Sequence, residues 1–296
     1  MKVLVTGAWG MFGHALLPAL GAAGHEVVAL RHPADRNEPP PPAAGGARVT
    51  RECDVTDYPA LLAVCREAQP DWVAHLAAWT DVDACEGDPD RAFTVNGLGS
   101  RNAALAAAEV GAAVLAISTD YVFQGDTPTP RREHDPISPL GIYGRSKMSG
   151  ERGVREVNTR HVVVRTEWLY GRGGRNFVDT ILGRAREGAP LKVVNDQRGC
   201  PTAAVDLAAA VLALMDARQF GTYHVTGSGD CTWHEFAVAI CETAGVPAEI
   251  GTMTSAELNR AAKRPAYSVL HNGSYEHVTG RRMPHWRDAL QRYLRS

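Results

Sequence analysis

Two residues whose side chains could move a proton to or from a substrate lie four positions apart in this chain. Tyr143 and Lys147 stand in the run Tyr-Gly-Arg-Ser-Lys. On a helix, positions i and i+4 share one face, so the phenol and the ammonium can reach the same small volume. A nearby ammonium favours the phenolate and lowers the phenol pKa from about 10. The pair therefore predicts proton exchange with a substrate oxygen near neutral pH.

A glycine-rich turn opens the chain and predicts a dinucleotide cofactor. The β-branched run 3–6 leads into Gly7, Gly10 and Gly13, and helical apolar spacing begins at Met11. In such a turn the first glycine permits the tight bend and the second lets the backbone approach a pyrophosphate. The third allows close packing of helix on strand, and the helix N-terminus faces the phosphates.

The end of the second predicted strand bears on the choice of cofactor. It reads Leu-Arg31-His32, without the acidic residue that binds a ribose 2′-hydroxyl in NAD sites. Arg31 could pair with a 2′-phosphate or be a solvated surface residue, and we expect NADP(H) as the preferred cofactor with NAD(H) possible. Asp54 and Val55, after the third strand, would suit the adenine ring. Asp54 could equally cap the helix that follows.

Strands and helices alternate through the first half of the chain. Strands are predicted at 3–6, 26–30, 48–55, 72–77, 113–118 and 161–166, with a single long helix at 89–110. This alternation predicts an α/β fold with a Rossmann-type, doubly wound parallel sheet. We divide the chain into an NAD(P)-binding domain, 1–170, and a smaller C-terminal substrate-binding lobe, 171–296. Segment 203–226 is expected to pack back onto the first domain, and 39–46 is a predicted loop.

Composition excludes several classes of protein. The chain has 296 residues, 45% of them hydrophobic, and a formal net charge of −2. It has no basic excess for nucleic acid and no apolar run near the ~18 residues of a membrane span. The cysteines lack CxxC spacing and the histidines lack ligand spacing, so we assign no metal. We expect small buried cysteines and a cytoplasmic location.

The motifs as a set resemble the dTDP-4-dehydrorhamnose reductase family, within the extended short-chain dehydrogenase/reductase superfamily. The resemblance rests on the glycine turn, the Tyr143/Lys147 pair, STDYVF at 118–123, AAWT at 77–80, DQRGCPT at 196–202, Trp168, and Arg264-Pro265 followed by Ser268. It extends from residue 3 to about residue 270. The family's usual Phe-Asp-Gly is Phe-Gln124-Gly here, and its usual tyrosine is Trp79.

The resemblance implies a role for each matching position. Along the cofactor it places Gly10, Met11, Phe12, Asp54, Val55, Ala77, Ala78 and Trp79, with Thr80 on the substrate side. Thr119 would hydrogen-bond the substrate keto oxygen, with Asp120 beside it. Tyr143 would donate the proton and Lys147 would orient the nicotinamide ribose. Trp168 would contact the sugar ring.

The implied activity is NADPH-dependent reduction at C4 of a nucleotide-linked 4-keto-6-deoxy-sugar, most simply dTDP-4-dehydrorhamnose to dTDP-rhamnose. Two alternatives stay open: a nucleotide-sugar epimerase or dehydratase, and a non-catalytic NADP-binding regulatory subunit of the methionine adenosyltransferase type. A homodimer is possible by fold analogy. The candidates for binding the substrate diphosphate are Arg172, Arg175, Arg198 and Arg264.

Overall fold

The structure is a computed structural model that describes residues 1–35, 41, 48–188 and 190–295. Apart from Pro41, the predicted loop 39–46 lies outside the described residues. In chain order the strands are β1 (Lys2–Thr6), β2 (Glu26–Arg31), β3 (Arg48–Glu52), β4 (Trp72–His75), β5 (Ala113–Thr119), β6 (His161–Thr166), β7 (Leu169–Tyr170), β8 (Leu191–Val194), β9 (Arg198–Gly199), β10 (Thr202–Ala203), β11 (Gly221–His224), β12 (Cys231–Thr232) and β13 (Ile250–Met253).

The helices connect these strands and cover the sheet. They are α1 (Met11–Ala22), α2 (Tyr58–Ala68), α3 (Val82–Gly87), α4 (Pro89–Ala92), α5 (Gly99–Glu109), α6 (Ile142–Val157), α7 (Phe177–Arg186), α8 (Ala204–Ala217), α9 (Trp233–Ala244), α10 (Ser255–Leu258), α11 (Gly273–Thr279) and α12 (Trp286–Arg295). Short 3-10 turns span Pro33–Asp35 and Asp120–Val122.

Seven parallel strands form the large sheet, in the order β11-β6-β5-β4-β1-β2-β3. The inner strands are buried along nearly their whole length, which explains their continuous apolar runs. One face packs against α1 and α8, around Leu16 and Leu207. The other packs against α2 and α5, around Leu61 and Ala103. The prediction of a Rossmann-type, doubly wound α/β fold is confirmed.

The C-terminal half contributes to two cores. Strand β11 pairs with β6 at the edge of the large sheet, and α8 packs against α1. A separate core joins α7, α9 and α12 through Val178, Phe236 and Leu290. It packs against β8, which pairs with β13 in a small parallel sheet.

The chain is helical from Pro89 to Glu109, as the predicted helix 89–110 requires, but a π-helical turn at Phe93–Leu98 lies between α4 and α5. Asn96 in this turn is fully buried, and its side chain bonds both the amide and the carbonyl of Trp79 at 2.8 and 3.0 Å. The π turn therefore orients the Asn96 side chain towards the segment that follows β4. π-helical turns of this kind are frequent at functional sites. Strand β4 also ends at His75, two residues before the predicted end.

All six cysteines are free and buried. Across the described ranges, no helix is both long enough and apolar enough to cross a bilayer.

Candidate active site

Two adjoining cavities lie at the carboxyl ends of the parallel strands, where open α/β sheets bind ligands. The outer cavity, of about 740 Å³, is lined by Thr6, Gly7, Gly10, Leu30, His32, Ala34, Asp35, Cys53, Asp54, Val55, Thr56, Leu76, Ala77, Ala78, Trp79, Asp90, Arg91, Thr94 and Val95. The inner cavity, of about 490 Å³, contains most of the predicted catalytic and substrate residues on its wall. Gly7, Gly10, Leu76 and Ala78 belong to both walls, so the two cavities form one groove.

The glycine turn lies where the two cavities meet. Gly7 has a φ of +64°, a conformation that favours glycine. The Gly10 amide donates to the Gly7 carbonyl at 3.0 Å, and α1 begins directly after Gly10 without a side-chain cap. The first amides of α1 are therefore available to an anion. Met11, Phe12 and Gly13, from the first turn of α1, line the inner cavity.

Asp54 and Val55 lie on the wall of the outer cavity. The Asp54 carboxylate accepts hydrogen bonds from the Thr56 amide and hydroxyl at 2.9 and 2.8 Å. Burial works to raise the pKa of Asp54, but these hydrogen bonds and nearby His32 outweigh it and lower that pKa. The alternative role of Asp54 as cap of α2 is wrong, because Asp57 accepts from the Ala60 amide in that position.

Arg31 lies beside the outer cavity rather than on its wall. Its guanidinium pairs with Glu52 and lies over the Trp9 ring, 5.8 Å from the ring centroid. In the part of the chain that the structure describes, the wall at this end contains His32 instead. An arginine that already has a carboxylate partner must share or exchange it to bind a phosphate.

The predicted catalytic residues Thr119, Tyr143 and Lys147 all line the inner cavity. Thr119 ends β5, while Tyr143 and Lys147 lie on α6. Glu86 fixes the start of α6 by accepting from the Ile142 amide at 2.7 Å. The structure thus brings the three side chains together from two elements.

Burial, rather than Lys147, dominates the pKa of Tyr143. Burial and the Asp120 carboxyl raise this pKa, against a hydrogen bond with the Thr119 side chain that lowers it. The expectation that Lys147 lowers the phenol pKa is therefore wrong for this state. Lys147 Nζ donates to the Ile117 carbonyl at 2.7 Å, and burial lowers the pKa of Lys147 to about 8 despite Glu151.

Asp120 and Glu167 form a second group on the inner wall. Both side chains are buried, with exposures of 2% and 3%. Sequence reasoning missed Glu167, although strand register could have found it. Thr119 pairs with Thr166 across β5 and β6, so the next residue of each strand reaches the same edge of the sheet.

The far end of the inner cavity is aromatic. Trp168 stacks on Trp233 with ring centroids 3.6 Å apart and planes inclined by 10°. Trp168 has a φ of +45°, an uncommon conformation for a large side chain. Both rings line the cavity, as does the predicted substrate residue Thr80. Trp233, from the start of α9, has no signal in the motif set and was not predicted.

Of the four candidate arginines, Arg175 alone lines the inner cavity. Arg198 pairs with Asp230 at 3.0 Å, and Arg264 pairs with Asp83 at 2.9 Å. Arg172 lies over the Tyr293 ring, 4.7 Å from its centroid.

Among the motif residues, Asp196 and Gln197 both form hydrogen bonds with Ser255 at the start of α10 and so fix a loop.

Comparison with known proteins identifies the family of this chain. The RmlD substrate binding domain family matches residues 1–296. The spore coat polysaccharide biosynthesis protein SpsK of Bacillus subtilis is 42% identical over 99% of this chain and 96% of its own. A dTDP-4-dehydrorhamnose reductase of Streptomyces griseus is 40% identical over 97% of this chain and 91% of its own. This chain belongs to the dTDP-4-dehydrorhamnose reductase family.

Solved structures of family members share the fold of this chain. The dTDP-4-dehydrorhamnose reductase of Clostridium acetobutylicum superimposes with a TM-score of 0.90 at 38% identity, covering 100% of this chain and 99% of its own. The Bacillus anthracis dTDP-4-dehydrorhamnose reductase, solved in complex with NADP, superimposes with a TM-score of 0.87 at 35% identity. The match covers 99% of this chain and 98% of its own. The predicted family is therefore confirmed, and with it the class of NAD(P)H-dependent oxidoreductase.

Proposed function

We propose that this chain reduces the C4 ketone of a dTDP-linked 4-keto-6-deoxy-sugar with NADPH, converting dTDP-4-dehydrorhamnose to dTDP-rhamnose. The convergence of Thr119, Tyr143 and Lys147 on one cavity, directly beside the glycine turn, carries this proposal. The names of the relatives support the substrate, and the NADP complex of the Bacillus anthracis relative supports the cofactor.

The groove fits an extended dinucleotide. Its adenosine half would occupy the outer cavity between Val55 and Trp79, and its pyrophosphate would lie at Gly10 and the first amides of α1. The nicotinamide end would then enter the inner cavity near Lys147. Arg31 and His32 lie at the end where a 2′-phosphate would be bound, which supports NADPH over NADH.

The side chains of the inner cavity would handle the proton. Bound NADPH supplies a hydride to the carbonyl carbon, and negative charge grows on the carbonyl oxygen. The Thr119 and Tyr143 hydroxyls would hydrogen-bond that oxygen, and Tyr143 would give it a proton. The raised pKa of Tyr143 keeps the phenol protonated until this moment. The Lys147 ammonium would stabilise the phenolate and hold the ribose of the cofactor.

The remaining wall would hold the rest of the substrate. The stacked pair Trp168 and Trp233 would contact the sugar ring. Arg175 would bind the diphosphate, because it lines the cavity and its guanidinium suits bidentate phosphate pairing. These residues lie in or next to the proposed substrate lobe, 171–296. Free buried cysteines suit a reducing compartment, and we include a cytoplasmic location in the proposal.

The test is incubation of the purified protein with NADPH and a panel of nucleotide-linked 4-keto-6-deoxy-sugars. We expect loss of reduced-nicotinamide absorbance with the dTDP-linked 4-keto sugar, release of one NADP⁺ per product, and an NMR spectrum of dTDP-rhamnose. Turnover without net NADPH consumption would instead indicate an epimerase. NADPH binding without any reduction, together with copurification of a synthetase, would indicate a regulatory subunit.

A further inference from the structure

Two carboxyl side chains lie side by side behind the predicted proton donor. Thr119 and Thr166 are register partners on adjacent parallel strands, and Asp120 and Glu167 are the residues that follow them. Both carboxyl groups are enclosed, with residue exposures of 2% and 3%. Asp120 Oδ2 and Glu167 Oε1 make no hydrogen bond within the described part of the chain.

No cation balances this pair among the ion pairs of the described residues. Lys147, in the same cavity, donates to a backbone carbonyl instead. The titratable groups that interact with the pair are Cys200, Tyr121, Tyr143 and Tyr267, none of which carries positive charge. The cation Arg264 interacts with Tyr121, but its carboxylate partner is Asp83. Two neighbouring enclosed carboxyl groups without a cation cannot both ionise cheaply, so at least one retains a proton.

The pKa directions agree with this geometry. Burial raises the pKa of Asp120 to about 7, against hydrogen bonds from Thr119 and Ser268 that lower it. Burial, and then the charge of Asp120, raise the pKa of Glu167 well above its ordinary value. The Ser268 hydroxyl donates to Glu167 Oε2 at 2.8 Å and also lowers the pKa of Asp120, so it acts on both carboxyl groups.

Thr119 links this pair to the proton donor. The Thr119 hydroxyl donates to Asp120 Oδ1 at 2.8 Å, and its interaction with the Tyr143 phenol lowers the pKa of Tyr143. We propose that Asp120 and Glu167 are an acid pair that holds a proton at neutral pH and returns it, through Thr119, to Tyr143 after each turnover. This inference rests on the proposed reductase function.

The proton balance of the return step is complete. After Tyr143 has protonated the product oxygen, the Thr119 hydroxyl turns from Asp120 Oδ1 to the phenolate and gives it a proton. Thr119 then takes the proton that the Asp120 carboxyl holds on Oδ1. Tyr143 is again a phenol, Thr119 is unchanged and Asp120 is a carboxylate. Water that enters the cavity as product leaves supplies the next proton. Glu167 is a positioning residue, because the charge of ionised Asp120 raises the pKa of Glu167, which keeps its own proton while Asp120 gives one up.

The stored proton can be tested without any activity assay. Glu167→Gln keeps the shape and neutrality of a protonated glutamate, so the variant should fold. Wild-type folded protein keeps a proton that the unfolded chain has lost, so its stability falls as pH rises. Between about pH 5 and 6.5, we expect the wild-type unfolding constant to rise about tenfold more per pH unit than that of Glu167→Gln. Glu235→Gln, a carboxyl outside the cavity, should follow the wild type. Parallel curves for wild type and Glu167→Gln would overturn the acid pair.

The return step is tested by rapid mixing of the Asp120→Asn protein with NADPH and the 4-keto sugar. We expect a burst of one NADPH oxidised per site, then steady turnover slowed about tenfold or more with an increased solvent isotope effect. Steady turnover within about twofold of wild type, without a burst, would contradict the relay. If wild type itself oxidises no NADPH, the proposed function fails, while the unfolding measurement still decides whether the pair holds a proton.

Discussion

At the scale of single residues, burial disfavours the ionisation of the acid groups in the inner cavity. Tyr143, Asp120 and Glu167 all have raised pKa values, and burial is the first cause for each. The lysine beside them loses affinity for its proton for the same reason. A phenol of this kind is suited to give a proton to a strongly basic oxyanion, which is what hydride arrival creates.

Arg31 provides a residue-scale prediction about cofactor choice. Arg31→Ala should raise the KM for NADPH about tenfold or more and leave the KM for NADH nearly unchanged, because only NADPH offers a phosphate to a guanidinium. Arg51→Ala is the matched control, since Arg51 lies on the neighbouring strand β3 and pairs with Glu67 of α2. Equal effects of Arg31→Ala on both cofactors, measured by steady-state kinetics, would show that Arg31 does not bind the 2′-phosphate.

At the scale of elements, the glycines of the β1–α1 turn serve two different purposes, helix packing and space for a ligand. A Cβ at position 13 would lie 2.1 Å from the Ala8 carbonyl oxygen, which is backbone and cannot move aside. A Cβ at position 10 would meet only the Gly7 oxygen, at 3.3 Å. Gly13 is therefore needed by the fold, whereas Gly10 leaves space for a ligand at the start of α1.

Alanine substitutions at these two positions should have different consequences. Gly13→Ala should lower the free energy of unfolding by about 1–3 kcal/mol, because the helix must shift on its strand. Gly10→Ala should change stability by less than about 1 kcal/mol yet weaken NADPH binding tenfold or more, since the added methyl group would face a pyrophosphate bound at the start of α1. Denaturant unfolding and NADPH titration of both variants check this. Normal NADPH affinity in Gly10→Ala would show that the pyrophosphate does not bind at this turn.

Elements with periodic apolar patterns could be predicted from the sequence, and elements defined by distant contacts could not. Predicted strands 3–6, 26–30 and 161–166 match β1, β2 and β6 to within one residue. The π turn that interrupts 89–110 depends on Asn96 bonding Trp79, a contact that no local pattern encodes. Trp233 and Glu167 were missed for the same reason: their place in the site follows from packing and strand register.

At the scale of the whole molecule, the two proposed lobes are interleaved. The large sheet is completed by β11, which follows the boundary at 170, and the face of α1 is covered by α8. The inner cavity takes Tyr143 and Lys147 from one side of that boundary, and Arg175 and Trp233 from the other. Both halves of the chain therefore form the wall of the proposed active site.

This interleaving predicts the behaviour of a fragment. A chain containing residues 1–170 alone should show no cooperative thermal transition, because it exposes the apolar surface of α1 and leaves β6 as an open edge. Far-ultraviolet circular dichroism during heating checks this against the full chain. A sharp transition in the fragment would show that the first lobe folds independently.

The most direct test of the central claim compares Tyr143→Phe with Tyr121→Phe, a phenol whose ring lies 5.7 Å from that of Tyr143. We predict that Tyr143→Phe lowers kcat by about 10²–10⁴-fold while its NADPH affinity stays within about twofold of wild type, and that Tyr121→Phe loses far less activity. Near-wild-type turnover in Tyr143→Phe would contradict the account, because the proton would then come from another group.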